Sequence, residues 1–416
     1  MKRLSHSKSN RDAVFLREAL RLARKGFGAT SPNPLVGAVL VKNGKIIGRG
    51  WHRRAGLPHA EIEALRDAQK RGHHPEGATL YVTLEPCCTH GRTPPCTDAI
   101  ISAGIKKVFI GATDPNPQHA GKGFEILRRA GIEVVSASAE SRWGERPREP
   151  VFADSHHGSR GRSPHQRIAD ECAKLNEAFN HWIIHRTPFV TVKAAMTLDG
   201  KIATASGESK WITGEKARAH GMKLRQGSDA ILVGINTILA DDPSLTFRKR
   251  KAESGKRKQL RRIILDSQAR TPLDAKVVSD EFAALTTIVV GKLAPKNRVA
   301  ALAKKVAVLV APTANSKLKI QNSKLDLRWL LEKLGAENVT RLLVEGGGEV
   351  NASFLLGGFA QRVAFFYAPK ILGGCGARKG VAGAGAKSFR EVVQLREVEW
   401  HKLGEDLLLT ARVAAR

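Results

Sequence analysis

Four side chains in the first hundred residues could hold a metal ion and use it: His59, Glu61, Cys87 and Cys96. A hydrolytic zinc site takes three nitrogen or sulfur ligands and keeps a fourth position for water. His59 stands where a helix should begin. Cys87 follows a strand and a proline in Leu84-Glu85-Pro86-Cys87, and Cys96 follows Pro94-Pro95 and should open the next helix. Both thiols are therefore expected at helix N-termini, where the dipole and unpaired N–H groups favour thiolate. Residues two apart do not share a face inside a helix. His59 and Glu61 must then meet the metal at the helix entrance, His59 as ligand and Glu61 as general acid/base for the water. Eight residues separate Cys87 from Cys96, which leaves Cys88 and His90 open as rivals for the ligand positions. A lone histidine or cysteine would be read as core, but four such residues in this strand–helix order point to metal chemistry.

A second constellation lies near the C-terminus. Glu345-Gly346-Gly347-Gly348 ends a strand, Leu342-Leu343-Val344, and leads into a short helical stretch, Glu349 to Leu356. Glycines at such a turn let backbone N–H groups approach a phosphate, and the helix dipole assists. Three other stretches are ambiguous taken singly: Lys193 to Lys201 with its Asp199-Gly200 turn, Ser209 to Gly214, and the acidic loop Asp241 to Thr246.

The elements that must position these residues alternate along the chain. Ala13 to Lys25 reads as an amphipathic helix. Strands over Leu35–Val41 and Ile46–Trp51 are joined by Asn43-Gly44, a strong hairpin signal. A helix follows from His59 to Lys70, then a strand over Ala78–Leu84, a helix over Cys96–Ala103, a strand over Lys107–Ala112, a helix over Gly123–Ala130 and a strand over Ile132–Val135. Residues 141–168 lack periodicity and read as a mobile insertion. A helix is expected over Asp170–Ile184. Strands then recur at 189–196, 230–234, 263–266, 287–290, 306–310, 342–345 and 363–367, with helices at 215–226 and 327–334 between them. Strands alternating with helices predict α/β sheets with covered faces. The expected domains are 1–186 and 187–416.

The wider motifs carry a family resemblance. His-x-Glu followed by Pro-Cys and a second Cys follows zinc-deaminase logic, with the Glu as acid/base and not a ligand. Ser31 to Gly37, Gly56 to Glu61 and Glu85 to Cys96, with its Gly91-Arg92-Thr93-Pro94-Pro95 spacer, resemble the deaminase half of the bifunctional riboflavin-biosynthesis deaminase/reductase family. The remainder, 187–416, is similar to the reductase half of the same family. The resemblance implies a cytidine-deaminase-like domain followed by a dihydrofolate-reductase-like domain. It assigns zinc to His59, Cys87 and Cys96, proton transfer to Glu61, and a passive place to Cys88. It implies NADPH held by Ala195, Trp211, Thr237, Asp241, Ser267 and the turn Gly347, Gly348, Glu349, Val350, Asn351, Ala352 and Ser353. Substrate, a small phosphorylated pyrimidine made by opening GTP, would meet Ser209, Arg225, Leu245, Arg248 and Glu345. Arg225 and Arg248 suit a 5′-phosphate through bidentate contacts. Lys193 and Glu345 are candidates to polarise the sugar during reduction. Family members are often oligomeric, but no homo-oligomer interface is legible in the sequence.

Composition agrees with a metabolic enzyme once the charge is located. The chain has 416 residues, enough for two or three domains, and is 42% hydrophobic. No apolar run approaches the roughly 18 residues that span a membrane. Met1 to Asn10 is basic and polar, so no secretory leader is expected. Five cysteines, an odd number, suggest a reducing, cytoplasmic setting. The excess of 69 Lys+Arg over 39 Asp+Glu invites a nucleic-acid reading. Most of it sits in segments 1–25, 141–168, 248–262 and 291–324, which hold no candidate site residue except Arg248. It therefore reads as solvated surface, and neither a nucleic acid nor a membrane is expected as partner. A tRNA or nucleobase deaminase would use the same zinc core, but it would carry neither the Gly-Arg-Thr-Pro-Pro spacer nor a complete reductase half.

Overall fold

The computed structural model describes residues 2–90, 94–117, 119–137, 163–246, 259–313 and 325–414, with residues 2–10 by backbone alone. Residues 91–93 of the spacer, 141–162 of the expected insertion, and Arg248 lie outside the described residues. The chain divides into two compact units, Met1–His185 and Arg186–Arg416. No helix among the described residues is long and apolar enough to cross a membrane.

In the first unit, β1 (Gly37–Lys42), β2 (Lys45–Trp51), β3 (Thr79–Val82), β4 (Lys107–Ile110) and β5 (Glu133–Ser136) form one sheet in the order β2-β1-β3-β4-β5. The β1–β2 hairpin turns at Asn43 and Gly44, both at positive φ (52° and 74°), as a type I′ turn requires. β3, β4 and β5 run parallel. The Lys2–Ala23 helix covers one face, with Leu16 and Leu20 against Val39, Tyr81 and Phe109. The Ala60–Lys70 and Cys96–Ser102 helices cover the other, with Ala60, Ala64 and Ile100 against Leu40, Leu80 and Val108.

Two sequence expectations for this unit need correction. Residues 163–168 are not part of an unstructured insertion, because a helix starts at Pro164. Ser163 Oγ accepts from Gln166 N (3.3 Å), and Gln166 Oε1 accepts from Ser163 N (2.9 Å). This capping box with proline at N1 is a start signal in its own right. The single helix expected over Asp170–Ile184 is two, Pro164–Leu175 and Glu177–His185. They part at Asn176, whose buried amide accepts from Leu35 N (2.8 Å) and donates to Leu35 O (2.9 Å). A hydrogen-bond pair to the segment entering β1 outweighs one more turn of helix.

The second unit contains β6 (Phe189–Thr197), β7 (Lys201–Ala203), β8 (Ala230–Gly234), β9 (Arg261–Leu265), β10 (Thr286–Gly291), β11 (Ala307–Ala311), β12 (Arg341–Val344), β13 (Arg362–Ala368), β14 (Arg378–Lys379), β15 (Leu395–Leu403) and β16 (Asp406–Val413). Nine of them form a sheet ordered β11-β10-β9-β8-β12-β6-β13-β16-β15, and β14 pairs with β7. The sheet is parallel from β11 to β13 and antiparallel at β16 and β15. After β8 the chain runs outward to β11, then returns to insert β12 between β8 and β6. Such a reversal opens a crevice at the carboxyl ends of the strands, where ligands of α/β sheets bind.

Arg262 corrects the reading of 248–262 as solvated surface. It lies in β9 and its side chain is 0% exposed. Its fork binds Asp280 twice (2.7 and 2.8 Å), and it also donates to Thr286 Oγ1 (2.8 Å), Ser244 O (3.0 Å) and Val277 O (3.1 Å). Removing one partner of a buried pair leaves the other uncompensated. Arg262→Ala is therefore expected to cost about 3–5 kcal/mol in denaturant melts. Lysine should recover little, since one ammonium cannot reproduce the planar fork. A loss below about 1 kcal/mol, typical of surface pairs, would contradict this account.

Candidate active sites

The candidate metal cluster of the first unit is built by close packing. Gly48 and Gly50 on β2 lie beneath the Ala60–Lys70 helix. A Cβ on Gly48 would sit 2.3 Å from Ala64 O, and one on Gly50 would sit 2.2 Å from Ala60 O. The helix backbone thus rides directly on the strand, and this fixes where its first turn points. His59 is the N-cap, with extended backbone, and Glu61 lies in that first turn. Cys96 is the first residue of the Cys96–Ser102 helix. Cys87 is not at a helix N-terminus, as the sequence suggested, but in the loop after β3. It borrows one instead, because Cys96 N donates to Cys87 Sγ at 3.4 Å.

His59 Nδ1 lies 3.4 Å from Cys87 Sγ and 3.3 Å from Cys96 Sγ. The three ligand atoms fall within 4.8 Å of one another. Among the described residues, Cys88 and His90 are outside this group. Hydrogen bonds from Cys96 and His59 hold the Cys87 thiol well below its ordinary range. Glu61 is 3% exposed, and its Oε2 has no hydrogen-bond partner among the described residues. Burial, then the negative Cys87, pushes its carboxyl up to about 7. One imidazole, two thiols and an unpartnered carboxylate oxygen beside them fit zinc with a fourth position for water.

Sequence reasoning missed two supports. His52 is buried, with Nδ1 3.2 Å from Pro58 O and Nε2 3.2 Å from Asn33 Nδ2. A carbonyl only accepts and an amide nitrogen only donates, so Nδ1 carries the proton and the ring is neutral. Its ring meets His59 edge-on at 5.3 Å. Glu85 accepts N–H groups from Asp114 (3.1 Å), Gly121 (3.1 Å) and Gly123 (3.0 Å), bolting the 113–123 loop to the segment before Cys87. An acid directly before Pro-Cys was the available signal for it. Gly50→Val is expected to lift the helix start, costing about 1–3 kcal/mol and lowering zinc per chain by metal analysis. Full zinc content in that variant would show that helix contact does not set the cluster.

In the second unit, Glu345 is the centre of a charge cluster. Arg225 grips it in bidentate fashion, Nε to Oε1 at 2.9 Å and Nη2 to Oε2 at 3.0 Å, while Lys193 Nζ stands 3.5 Å from Oε2. Burial alone would raise the carboxyl, but Lys193 and Arg225 outweigh it and hold it down at about 2. Arg225 also donates to Thr246 O (2.9 Å), so its fork is engaged and not offered to a phosphate. Leu245 is a core residue among Ile231, Val233 and Ile264, which leaves only its backbone for a ligand.

The helices Ile235–Asp241 and Gly348–Leu356 start from Gly234 and Gly347, neither with a side-chain cap, at the ends of adjacent parallel strands β8 and β12. Two uncapped helix N-termini side by side fit a dinucleotide pyrophosphate. Thr237 lies in the first of these helices, and Asp241 at its end accepts from Ser209 Oγ (3.4 Å). Gly347 has open space where a Cβ would stand. The side chains of Glu349, Asn351 and Ser353 are engaged elsewhere. Asn351 donates to Gly380 O (2.8 Å), Glu349 accepts from Gly383 N (3.2 Å), Ser353 donates to Glu349 O (2.8 Å), and Ala352 is buried. Ser267 follows β9, where its carbonyl accepts from Gly291 N (3.0 Å). Ala195 packs against the Phe366 cluster. Trp211 is 69% exposed under the Arg218 guanidinium (4.8 Å) and lines a cavity of about 480 Å³ with Lys370 and Gly404. Asp199 was missed as a tether: it accepts from Thr197 Oγ1 (2.6 Å), Leu372 N (3.1 Å) and Gly373 N (2.8 Å).

Comparison with known proteins matches a different family to part of each unit. Residues 9–112 match the cytidine and deoxycytidylate deaminase zinc-binding region, and 188–409 match the RibD C-terminal domain. The chain is 42% identical over 404 residues to the riboflavin biosynthesis protein RibD of Actinobacillus pleuropneumoniae, covering 97% of this chain and 95% of that one. Its structure resembles Acinetobacter baumannii RibD, with a TM-score of 0.76, 33% identity, and 98% and 100% of the two chains covered. It also resembles a diaminohydroxyphosphoribosylaminopyrimidine deaminase/5-amino-6-(5-phosphoribosylamino)uracil reductase from Thermotoga maritima, with a TM-score of 0.74, 34% identity, and 98% and 100% covered.

Proposed function

The chain belongs to the RibD family of riboflavin-biosynthesis proteins, and on that basis we propose how its residues divide two successive reactions. It is a bifunctional enzyme with a deaminase domain and a reductase domain. The first removes the exocyclic amine of 2,5-diamino-6-ribosylamino-4(3H)-pyrimidinone 5′-phosphate by hydrolysis. The second reduces the ribosyl chain to ribityl with NADPH. We assign the deaminase to residues 1–186 and the reductase to 187–416.

His59, Cys87 and Cys96 would hold zinc, which when bound lowers the pKa of water toward neutrality. Glu61 takes the proton of the attacking water and returns it to the departing amine. The observation that carries this reading is the buried, unpartnered Glu61 oxygen beside the two thiols, since such an atom is costly unless a ligand meets it. In the reductase, Thr237, Asp241, Ser267 and the Gly347–Val350 turn would bind NADPH, the hydride donor. Trp211 would lie against it. Lys193 and Glu345 face the sugar, Lys193 as the proton source, while Arg225 fixes Glu345. Ser209, the Leu245 backbone and Arg248 complete the substrate side. Five free cysteines support a reducing, cytoplasmic setting, and a small phosphorylated pyrimidine is the partner in this reading, not a nucleic acid.

A coupled assay tests it. The ring-opened GTP product and NADPH are added to zinc-loaded protein, and ammonia and NADPH oxidation are followed together. Equimolar ammonia and oxidised cofactor are expected. Turnover of neither would overturn the assignment.

A further inference from the structure

The Trp211 indole is held by charge and not by packing. It is 69% exposed and, among the described residues, belongs to none of the apolar clusters of its unit. The Arg218 guanidinium stands over the ring instead, 4.8 Å from its centroid. Arg218 is itself fixed at both ends. Its backbone N–H donates to Gly214 O (3.1 Å) in the first turn of the Glu215–Gly227 helix, and its Nη1 donates to Thr213 O (2.6 Å). Helical side chains lean toward the N-terminus of their helix, so a residue one turn in lies back over the loop that enters it. The backbone of that loop has two anchors of its own. Trp211 O accepts from Lys370 Nζ (3.0 Å), and Gly214 N donates to the buried Asp406 carboxylate (2.7 Å). Lys370 and Asp406 thus hold the main chain, whereas Arg218 grips the ring. A guanidinium suits both of its tasks, since it can stack on an indole while one nitrogen of its fork donates sideways. An ammonium is a point charge and keeps one contact or the other.

We propose that Arg218 is a positioning residue of the reductase, holding the Trp211 indole in one orientation so that NADPH meets an already ordered ring face. This rests on the assignment of Trp211 to NADPH above and adds to it what orders the ring before the cofactor arrives. Arg218 touches no reacting atom. A mobile side chain that must be immobilised on binding lowers affinity, and ordering it beforehand removes that cost.

Calorimetric titration of the protein with NADPH tests it, because that readout does not depend on tryptophan emission. Arg218→Ala should raise Kd about fivefold, the scale of an exposed cation–π contact and one ordered side chain. Turnover at saturating NADPH should fall less than about twofold, since the loss is in binding and not in the reducing step. Arg218→Lys should recover part of the affinity. Trp211→Ala should itself weaken NADPH binding. Adding Arg218→Ala to it should cost nothing more, the non-additivity expected of two groups that act as one. Losses that add, or an unchanged Kd in Arg218→Ala, overturn the proposal and leave the Trp211 assignment standing. An unchanged Kd in Trp211→Ala overturns that assignment and the proposal with it.

Discussion

Glu61→Gln is expected to lower ammonia release by about 10²- to 10⁴-fold, the usual worth of a positioned acid/base. Zinc content should not change. The amide has the size and shape of the carboxyl, so the helix start and the His59, Cys87 and Cys96 atoms within 4.8 Å of one another should stay in place. What is lost is the ability to accept a proton. NADPH-dependent reduction of the already deaminated compound should also be untouched, because that chemistry is assigned to the other domain. Zinc-replete protein that still deaminates at the parent rate would remove Glu61 from the mechanism. Loss of zinc along with activity would mean instead that Glu61 helps to hold the metal.

Lys193→Ala is expected to cost NADPH-dependent turnover about 10²-fold or more, the scale for losing one preorganised charge in a water-poor site. The Lys193 ammonium lies 3.5 Å from Glu345, over the face of the Phe366 ring at 5.8 Å. It contributes to holding the buried carboxyl ionised. Removing it takes away the proposed proton source and one of the two cations beside Glu345, while Arg225 keeps its bidentate grip. The effect should therefore appear in kcat, with NADPH binding by fluorescence titration nearly unchanged, since Lys193 is not among the groups proposed to hold the cofactor. Intact turnover would leave Lys193 as a structural counterion. Deaminase activity is the internal control.

Much of this was legible from residue order because local rules agreed with one another. Asn43-Gly44 marked its hairpin, and strand β8 occupies the residues expected for it, 230–234. Glycine marked the helix start after β12. Of the four residues of the site, His59, Glu61 and Cys96 sit at helix starts that proline or an apolar run announces, while Cys87 lies in the loop after β3. The misreadings have physical causes of a different kind. The Pro164 helix start was hidden behind a polar stretch, where the capping box and not the periodicity carried the signal. Asn176 breaks a helix for the sake of a contact 141 residues away, which no local pattern can register. Arg262 sits in a basic run and is indistinguishable from its solvated neighbours until Asp280 is folded against it. Leu245 adopts positive φ (51°) inside an acidic loop, so its burial could not be inferred from its surroundings. The β15–β16 hairpin was missed because β15 is exposed or nearly so along its whole length and carries a bulge between Arg396 and Glu399, which erases the period-two alternation.

That same strand gives the reductase sheet an uneven resistance to local opening. Peeling β15 away uncovers little apolar surface, so it belongs to the low-free-energy end of native-state fluctuations. β6, which carries Lys193, and β12, which leads into Glu345, lie at the middle of the sheet and can open only when the whole unit does. Where β15 turns into β16, Asp406 accepts Gly214 N at 2.7 Å and holds the end of the loop that bears Ser209 and Trp211. Fraying at this edge therefore leaves the charge cluster standing while it loosens the loop whose Trp211 and Ser209 are proposed to meet cofactor and substrate. Rigid chemistry and yielding access are assigned to different strands of one sheet.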